Sequence, residues 1–365
     1  MHRVLIYIGH PAQYHFFKNL IKILSLQGVE FKILIKTKDV LENLLVEDGF
    51  EYKNIQVNTR KDSKWGILKA SFMRTRIVLK EAKDFGAELL MGTDSSIAQA
   101  AWLLRKPAIT TLEDDEEIIR NLARLTYPFT THILVPKVCS VGKWENKKIG
   151  YDGYMKLAYL HPNYFTPNRD ILVKYGIERK FCLIRLAKLA AHHDVGIKGL
   201  TVDLVKQVIK IAEDNSCQVF ISSEGALSEE LKPYLLKIRH TDIHHIMAFA
   251  DLLISDSQSM SVEACMMGTP NLRFSDFSGR ISVLEELEHK YHLTTGFKTS
   301  QQERLLGGVN EILSSKETKD VYHQNYLQML SDKIDVTSFM VWLVKNYPKS
   351  IETINANPEY QNRFR

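Results

Sequence analysis

Long apolar runs are missing from this chain of 365 residues: none reaches the ~20 residues that a membrane-spanning helix needs. A dense block of lysine and arginine is missing too. The net charge of +5 and the pI near 8.8 are mild. A dedicated nucleic-acid surface is therefore not expected, while anionic small molecules and a membrane face stay open as partners. Cysteine is scarce: Cys139, Cys182, Cys217 and Cys265 lie far apart, three of them in or beside apolar runs. That spacing fits neither a zinc site nor a secreted disulfide framework, and it points to a reducing cytoplasm. The run Met1-His2-Arg3-Val4-Leu5-Ile6-Tyr7-Ile8 is too short for a signal core, so export is not expected. There is no Gly-x-Gly-x-x-Gly, no repeat of solenoid length and no low-complexity tract.

What is present is ordinary globular composition, 45% hydrophobic and 25% charged, in a chain long enough for two cores. Short apolar runs alternate with amphipathic segments, the pattern of βα units around parallel sheets. In the first half this predicts strands near 3–8, 30–36, 50–57, 87–91, 107–110 and 132–135, with helices near 14–27, 38–48, 64–84, 94–104 and 115–126. In the second half it predicts strands near 180–185, 217–222, 234–238, 251–254 and 270–273, with helices near 198–214, 242–249 and 257–267, then a mainly helical stretch from 282 onward. The expectation is an α/β chain of two doubly wound domains, 1–155 and 168–334, with a helical tail, 335–365, able to pack back on the first. The turn-rich segment from Gly150 to Asn168 reads as their connection. Ligands of such sheets bind beyond the strand ends, so the chemistry is expected in a cleft between the halves.

The most informative stretch is Ile254-Ser255-Asp256-Ser257-Gln258-Ser259-Met260-Ser261-Val262-Glu263, a strand, a polar turn and a helix start. Hydroxyls and unpaired N–H groups at a helix N-terminus suit a diphosphate. Glu263 can then accept hydrogen bonds from the two hydroxyls of a ribose. The alternative is that the serines cap a core helix and Glu263 is solvated. Arg185 and Lys188 follow another strand and can neutralise a diphosphate leaving group. Their arginine is expected to face the serine turn across the cleft. The strand ends at Ser222 and Glu224, and at Arg239-His240, can cradle a base through backbone groups.

In the first half, His10 and His15 flank the first helix start, where either can deprotonate an attacking hydroxyl or merely cap and pack. Asp94 follows the fourth strand and Glu113 the fifth. Each is a candidate acid or base, and each has a structural alternative, a helix cap for Asp94 and a solvated acidic helix start for Glu113. Adjacent histidines such as His192-His193 and His244-His245 point apart, so no metal and no resident cofactor is expected. The basic and apolar segment from Arg60 to Arg76 is able to touch an anionic membrane or a lipid-linked acceptor, or is a plain amphipathic surface helix.

Taken together, the runs GHPAQYHFFKNLIKIL, GTDSSIAQAAWLLRKPAI, GYDGYMKLAYLHPNYFTP and DIHHIMAFADLLISDSQSMSVEACMMGTPNLRFSDF resemble the family called domain of unknown function 354, over residues 1 to about 315. The resemblance implies the GT-B architecture, two Rossmann-like domains with a nucleotide-sugar site, and kinship with the non-hydrolysing UDP-N-acetylglucosamine 2-epimerases. In those enzymes an Asp, a Glu and a Ser-Asp-Ser with a downstream Glu stand where this chain has Asp94, Glu113, Ser255-Asp256-Ser257 and Glu263. Their His-Arg reads Ile184-Arg185 here, and their Gly-Gly reads Gln258-Ser259. The function so implied is a cytoplasmic, metal-independent glycosyltransferase that uses a nucleotide-sugar donor, a UDP-sugar, and a saccharide or lipid-linked acceptor. Contact with the inner membrane face and a homodimer are open partners. The alternatives are a nucleotide-sugar 2-epimerase using Asp94 and Glu113, and a non-catalytic nucleotide-sugar-binding protein.

Overall fold

The computed structural model describes residues 2–37, 40–56, 64–187 and 199–365. Backbone contacts divide the chain into two compact units, Met1–Tyr164 with Lys333–Arg365, and Phe165–Asp332.

The first unit begins with β1 (Arg3–Ile8), α1 (Pro11–Leu26), β2 (Glu30–Ile35), α2 (Leu41–Glu47) and β3 (Lys53–Asn54). It continues through α3 (Lys64–Phe85), β4 (Leu89–Gly92), α4 (Ser95–Leu104) and β5 (Ala108–Thr111). Then come α5 (Arg120–Thr126), β6 (His132–Pro136), β7 (Lys148–Tyr151) and α6 (Leu157–Leu160). Its seven strands pair in the order β3-β2-β1-β4-β5-β6-β7, all parallel. Strands such as Val4–Ile8 are buried along their whole length because a parallel sheet is covered on both faces.

The second unit holds α7 (Asp170–Lys174), β8 (Phe181–Leu186), α8 (Val202–Asp214), β9 (Gln218–Ser223), α9 (Ile243–Phe249) and β10 (Leu252–Ser255). After these come α10 (Gln258–Cys265), β11 (Asn271–Phe274), α11 (Ser282–His289), β12 (Thr295–Phe297), α12 (Gln302–Ser314) and α13 (Thr318–Asp332). The sheet order is β12-β11-β10-β8-β9, again parallel. Helix α8 shows how sequence becomes packing. The Thr201 hydroxyl caps it by accepting from Leu204 N–H, and Leu204, Val205, Val208, Ile209 and Ala212 form its buried stripe. The chain then returns to the first unit as α14 (Val336–Lys345), packed on α1 and α6, and α15 (Lys349–Ala356).

Several expected elements differ. The strand near 50–57 is only Lys53–Asn54, at a sheet edge where one neighbour supports it. At 234–238 there is no strand: Pro233 holds Lys232–Tyr234 in a 3₁₀ turn, and a single bridge joins Leu235 to Ile221. The helix expected from 115 begins at Arg120, because Asp115 is buried and accepts instead from Ser140 N–H at 2.8 Å. Strands β7 and β12 were not expected, the second lying in the stretch read as helical. Both are short and contain a glycine, Gly150 or Gly296, which weakens the strand signal.

Both sheets have a reversal of strand order. In the first unit it lies between β1 and β4, where Tyr7 is the register partner of Gly92. Gly92 is needed there, with φ at +153°, because a Cβ would lie 2.7 Å from the Tyr7 carbonyl oxygen. In the second unit the reversal lies between β8 and β10, where Arg185 is the partner of Ser255. These are the positions at which doubly wound sheets open a crevice for ligands.

Candidate functional site

In the second unit the switch point gathers most of the expected residues. Arg185 and Ser255 do not face one another across a cleft; they are neighbours on adjacent strands, because β10 pairs directly with β8. Arg185 donates to the Ser222 hydroxyl at 2.7 Å and to the Glu224 carboxylate, so the ends of β8 and β9 share one guanidinium. The Ser255 hydroxyl accepts from Ser257 N–H at 2.8 Å, which tightens the turn. Asp256 points back over the sheet and accepts from Ala187 N–H at 2.6 Å. Burial raises the Asp256 carboxyl pKa above the usual range, against the lowering effect of its backbone donors and of Arg185.

Ser257 occupies the cap position of α10, yet its side chain makes no capping bond. The serines therefore do not simply cap a core helix. The Ser261 hydroxyl is buried and donates back to the Ser257 carbonyl at 3.2 Å, and the Met260 side chain belongs to the core with Leu172, Ile177 and Leu253. Of these two, only backbone groups are at the turn's disposal. Ser259 is half-buried at the helix start. Glu263 is not solvated: it is 8% exposed, 3.5 Å from His244 Nε2. His244 also meets the Phe165 ring edge-on, and His245 accepts from Asn168 N–H at 3.1 Å. His240 is exposed on the 3₁₀ turn leading into α9, one turn before His244. Lys188 and the pair His192-His193 lie outside the described residues.

In the first unit the candidates sit at the matching strand ends with other partners. Asp94 caps α4, accepting from Ser96 N–H at 2.9 Å and from the Ser96 hydroxyl at 2.6 Å, and it pairs with Arg74 at 2.7 Å. Tyr7 lies nearby, its phenol pushed up by burial and then by the Asp94 charge. Glu113 is not a solvated helix start: it accepts from Met155 N–H at 2.9 Å and pairs with Lys156 at 2.5 Å, both side chains being largely buried. Burial, followed by the Glu113 charge, pushes the Asp114 carboxyl up. His10 Nδ1 accepts from Ala12 N–H at 3.1 Å and so caps α1. His15 stacks on Tyr159 with ring centroids 4.9 Å apart. One turn on, burial and then Lys22 bring the Lys18 pKa down to about 8.

The partners were not foreseen from sequence. Arg74 and Lys156 hold the two first-unit carboxylates. Beside α10, Arg273 is 1% exposed, pairs with Glu288 and reaches Gln258 at 3.5 Å. The available signal was a lone cation inside an apolar run, as in Met155-Lys156-Leu157 and Leu272-Arg273-Phe274. Among the described residues, the group suited by geometry to a metal ion is Glu285, Glu288 and His289 on α11.

No protein-family model and no curated protein sequence matches the chain. Solved structures do match. The UDP-N-acetylglucosamine 2-epimerase from Rickettsia bellii aligns at 13% identity over 98% of this chain and 99% of its own, with a TM-score of 0.67. The complex of MnaA from S. aureus with UDP aligns at 12% identity over 96% and 98%, with a TM-score of 0.70. The glycotransferase of kitacinnamycin aligns at 11% over 94% and 98%, with a TM-score of 0.60. These likenesses show the fold, the GT-B class of two Rossmann-like α/β units that epimerases and glycosyltransferases share. The resemblance to domain of unknown function 354 rests on the motifs alone.

Proposed function

We propose that the chain is a GT-B glycosyltransferase that moves a sugar from a UDP-sugar to a saccharide or lipid-linked acceptor in the cytoplasm, with no metal needed. The observation that carries this reading is the uncapped start of α10 beside Arg185 at the switch point of the second sheet. A diphosphate placed there meets helix N–H groups, the Ser257 and Ser259 hydroxyls and a guanidinium, so its developing charge is stabilised without a cation. Glu263, fixed beside His244, is the acceptor for the ribose hydroxyls. The neighbours bound to UDP, and to UDP-GlcNAc with UDP, support uridine as the base. His15 is the better candidate base. His10 already accepts a hydrogen bond at Nδ1, which leaves the ring proton on Nε2.

The epimerase reading has its own support: Asp94 and Glu113 follow adjacent strands of the first sheet. Both are engaged by cations, and Ile184 replaces the expected histidine, so it stands second. A thermal-shift titration tests the shared part. UDP at about 100 times its dissociation constant stabilises the folded chain by ~2.7 kcal/mol, and Arg185→Gln should remove most of that shift. No shift with UDP or any UDP-sugar would end the proposal. Incubation of the UDP-sugar in deuterated water then separates the reactions. Deuterium at C2 without an acceptor would give the epimerase; sugar transfer that is lost in His15→Ala supports the transferase.

A further inference from the structure

One face of the first unit combines exposed apolar side chains with basic ones. On α3, Phe72 is 64% and Met73 37% exposed; on α4, Trp102 and Leu103 are 59% and 55%; on α5, Leu125 is 49%. Lys69, Phe72, Met73, Arg76 and Lys80 recur at helical spacing, so they form one outer stripe of α3. The three helices are tied edge to edge. The Thr75 hydroxyl bonds Gln99 Oε1 at 3.0 Å, and Gln99 Nε2 donates to the Leu125 carbonyl at 3.1 Å. Phe72 is one turn before Thr75 and Trp102 one turn after Gln99, which sets the apolar residues on both sides of this seam.

The charge on the same face is mainly positive, with the exposed Asp84, one turn beyond Lys80, closing the end of the α3 stripe. Lys69, Arg76, Lys80, Arg105, Lys106, Arg120 and Arg124 are all exposed, and the stretches 69–80, 95–106 and 120–126 contain no Asp or Glu. Bulky apolar groups, one of them a tryptophan, on helices that also expose lysine and arginine match the headgroup and acyl boundary of an anionic membrane. A second copy of the chain fits less well, because a two-fold interface would set this basic face against itself. Among the described residues no helix is long and apolar enough to cross a membrane. We infer that the α3–α4–α5 face docks the protein on the surface of an anionic lipid membrane, with Phe72, Trp102 and Leu103 entering the interface and the surrounding cations holding the headgroups. The inference stands apart from the nucleotide site and does not rest on the reaction catalysed.

Co-sedimentation of the full chain with lipid vesicles tests it. The protein should pellet with phosphatidylcholine vesicles that contain phosphatidylglycerol, not with phosphatidylcholine alone, and salt should release it. Arg76→Glu with Arg124→Glu should weaken partitioning at least about thirtyfold, and Phe72→Ser with Trp102→Ser and Leu103→Ser should also abolish pelleting. If the triple variant melts early, the charge pair alone decides. Failure of the native chain to pellet with anionic vesicles overturns the inference, as does pelleting that the charge pair leaves unchanged. So does a lipid-free dimer in sedimentation velocity that the apolar variant splits, which would give this face to a second copy.

Discussion

Helix α4 in the first unit and helix α10 in the second both follow a strand at a topological switch point, and both turns contain Asp beside Ser, yet their N-termini are capped differently. In α4 the acid stands at the cap: Asp94 satisfies the Ser96 N–H and brings Arg74 with it. In α10 the acid stands one residue earlier. Asp256 turns away to Ala187 N–H, and Ser257 at the cap makes no capping bond. A shift of one position thus decides whether the helix start has a carboxylate at its cap. The second carboxylate of the first unit repeats the pattern, since Glu113 is closed off by Lys156 and Met155.

The largest effect should come from breaking that closure. Glu113→Ala leaves the buried Lys156 without its carboxylate, and loss of one partner of a buried pair costs about 3–5 kcal/mol. Urea unfolding should show that loss, with UDP affinity of the folded protein unchanged. Stability untouched and activity lost would make Glu113 a catalytic group, and the contrast between the units would fail. Next in size is Ser257→Asp, which gives α10 the plug that α4 has. A capping carboxylate adds up to ~1 kcal/mol of stability, and its charge beside the diphosphate position should weaken UDP at least about tenfold, or ~1.4 kcal/mol. Isothermal titration and a melting curve together read both signs. Unchanged UDP affinity would remove α10 from the diphosphate site.

The strands and helices that form this contrast were legible because parallel sheets leave continuous apolar runs, such as Leu252–Ile254, and because Ser and Asp at a strand end mark a helix start. The serine turn and Arg185 were readable for the same reason. What was not legible depends on contacts far apart in sequence. Nothing local says that Glu113 will meet Lys156, that Arg74 will reach Asp94, or that β10 will pair with β8 and seat Arg185 next to Ser255. Strand order is a property of the whole sheet, and short edge strands with a glycine, such as β12, gain their form from the neighbour they pair with.

The smallest effect, and the sharpest control, is the reverse exchange. Asp94→Ser keeps a residue that caps as well as Asp, so the helix itself should lose little. What remains is the half-screened Arg74 pair, whose side chains are 17% and 24% exposed, and for which about 1 kcal/mol in urea unfolding is expected. The more telling readout is stoichiometry. With Asp94 gone, the start of α4 carries a serine and no carboxylate, as the start of α10 does, but its nearby cation is Arg74 on α3 and not a strand residue like Arg185, since Tyr7 and Gly92 are the paired residues at this switch point. Calorimetry should therefore still find one UDP per chain. A second equivalent would show that a helix start without a carboxylate, with an arginine nearby, is enough to hold the diphosphate, and that the strand position of Arg185 is not what distinguishes the second unit from the first.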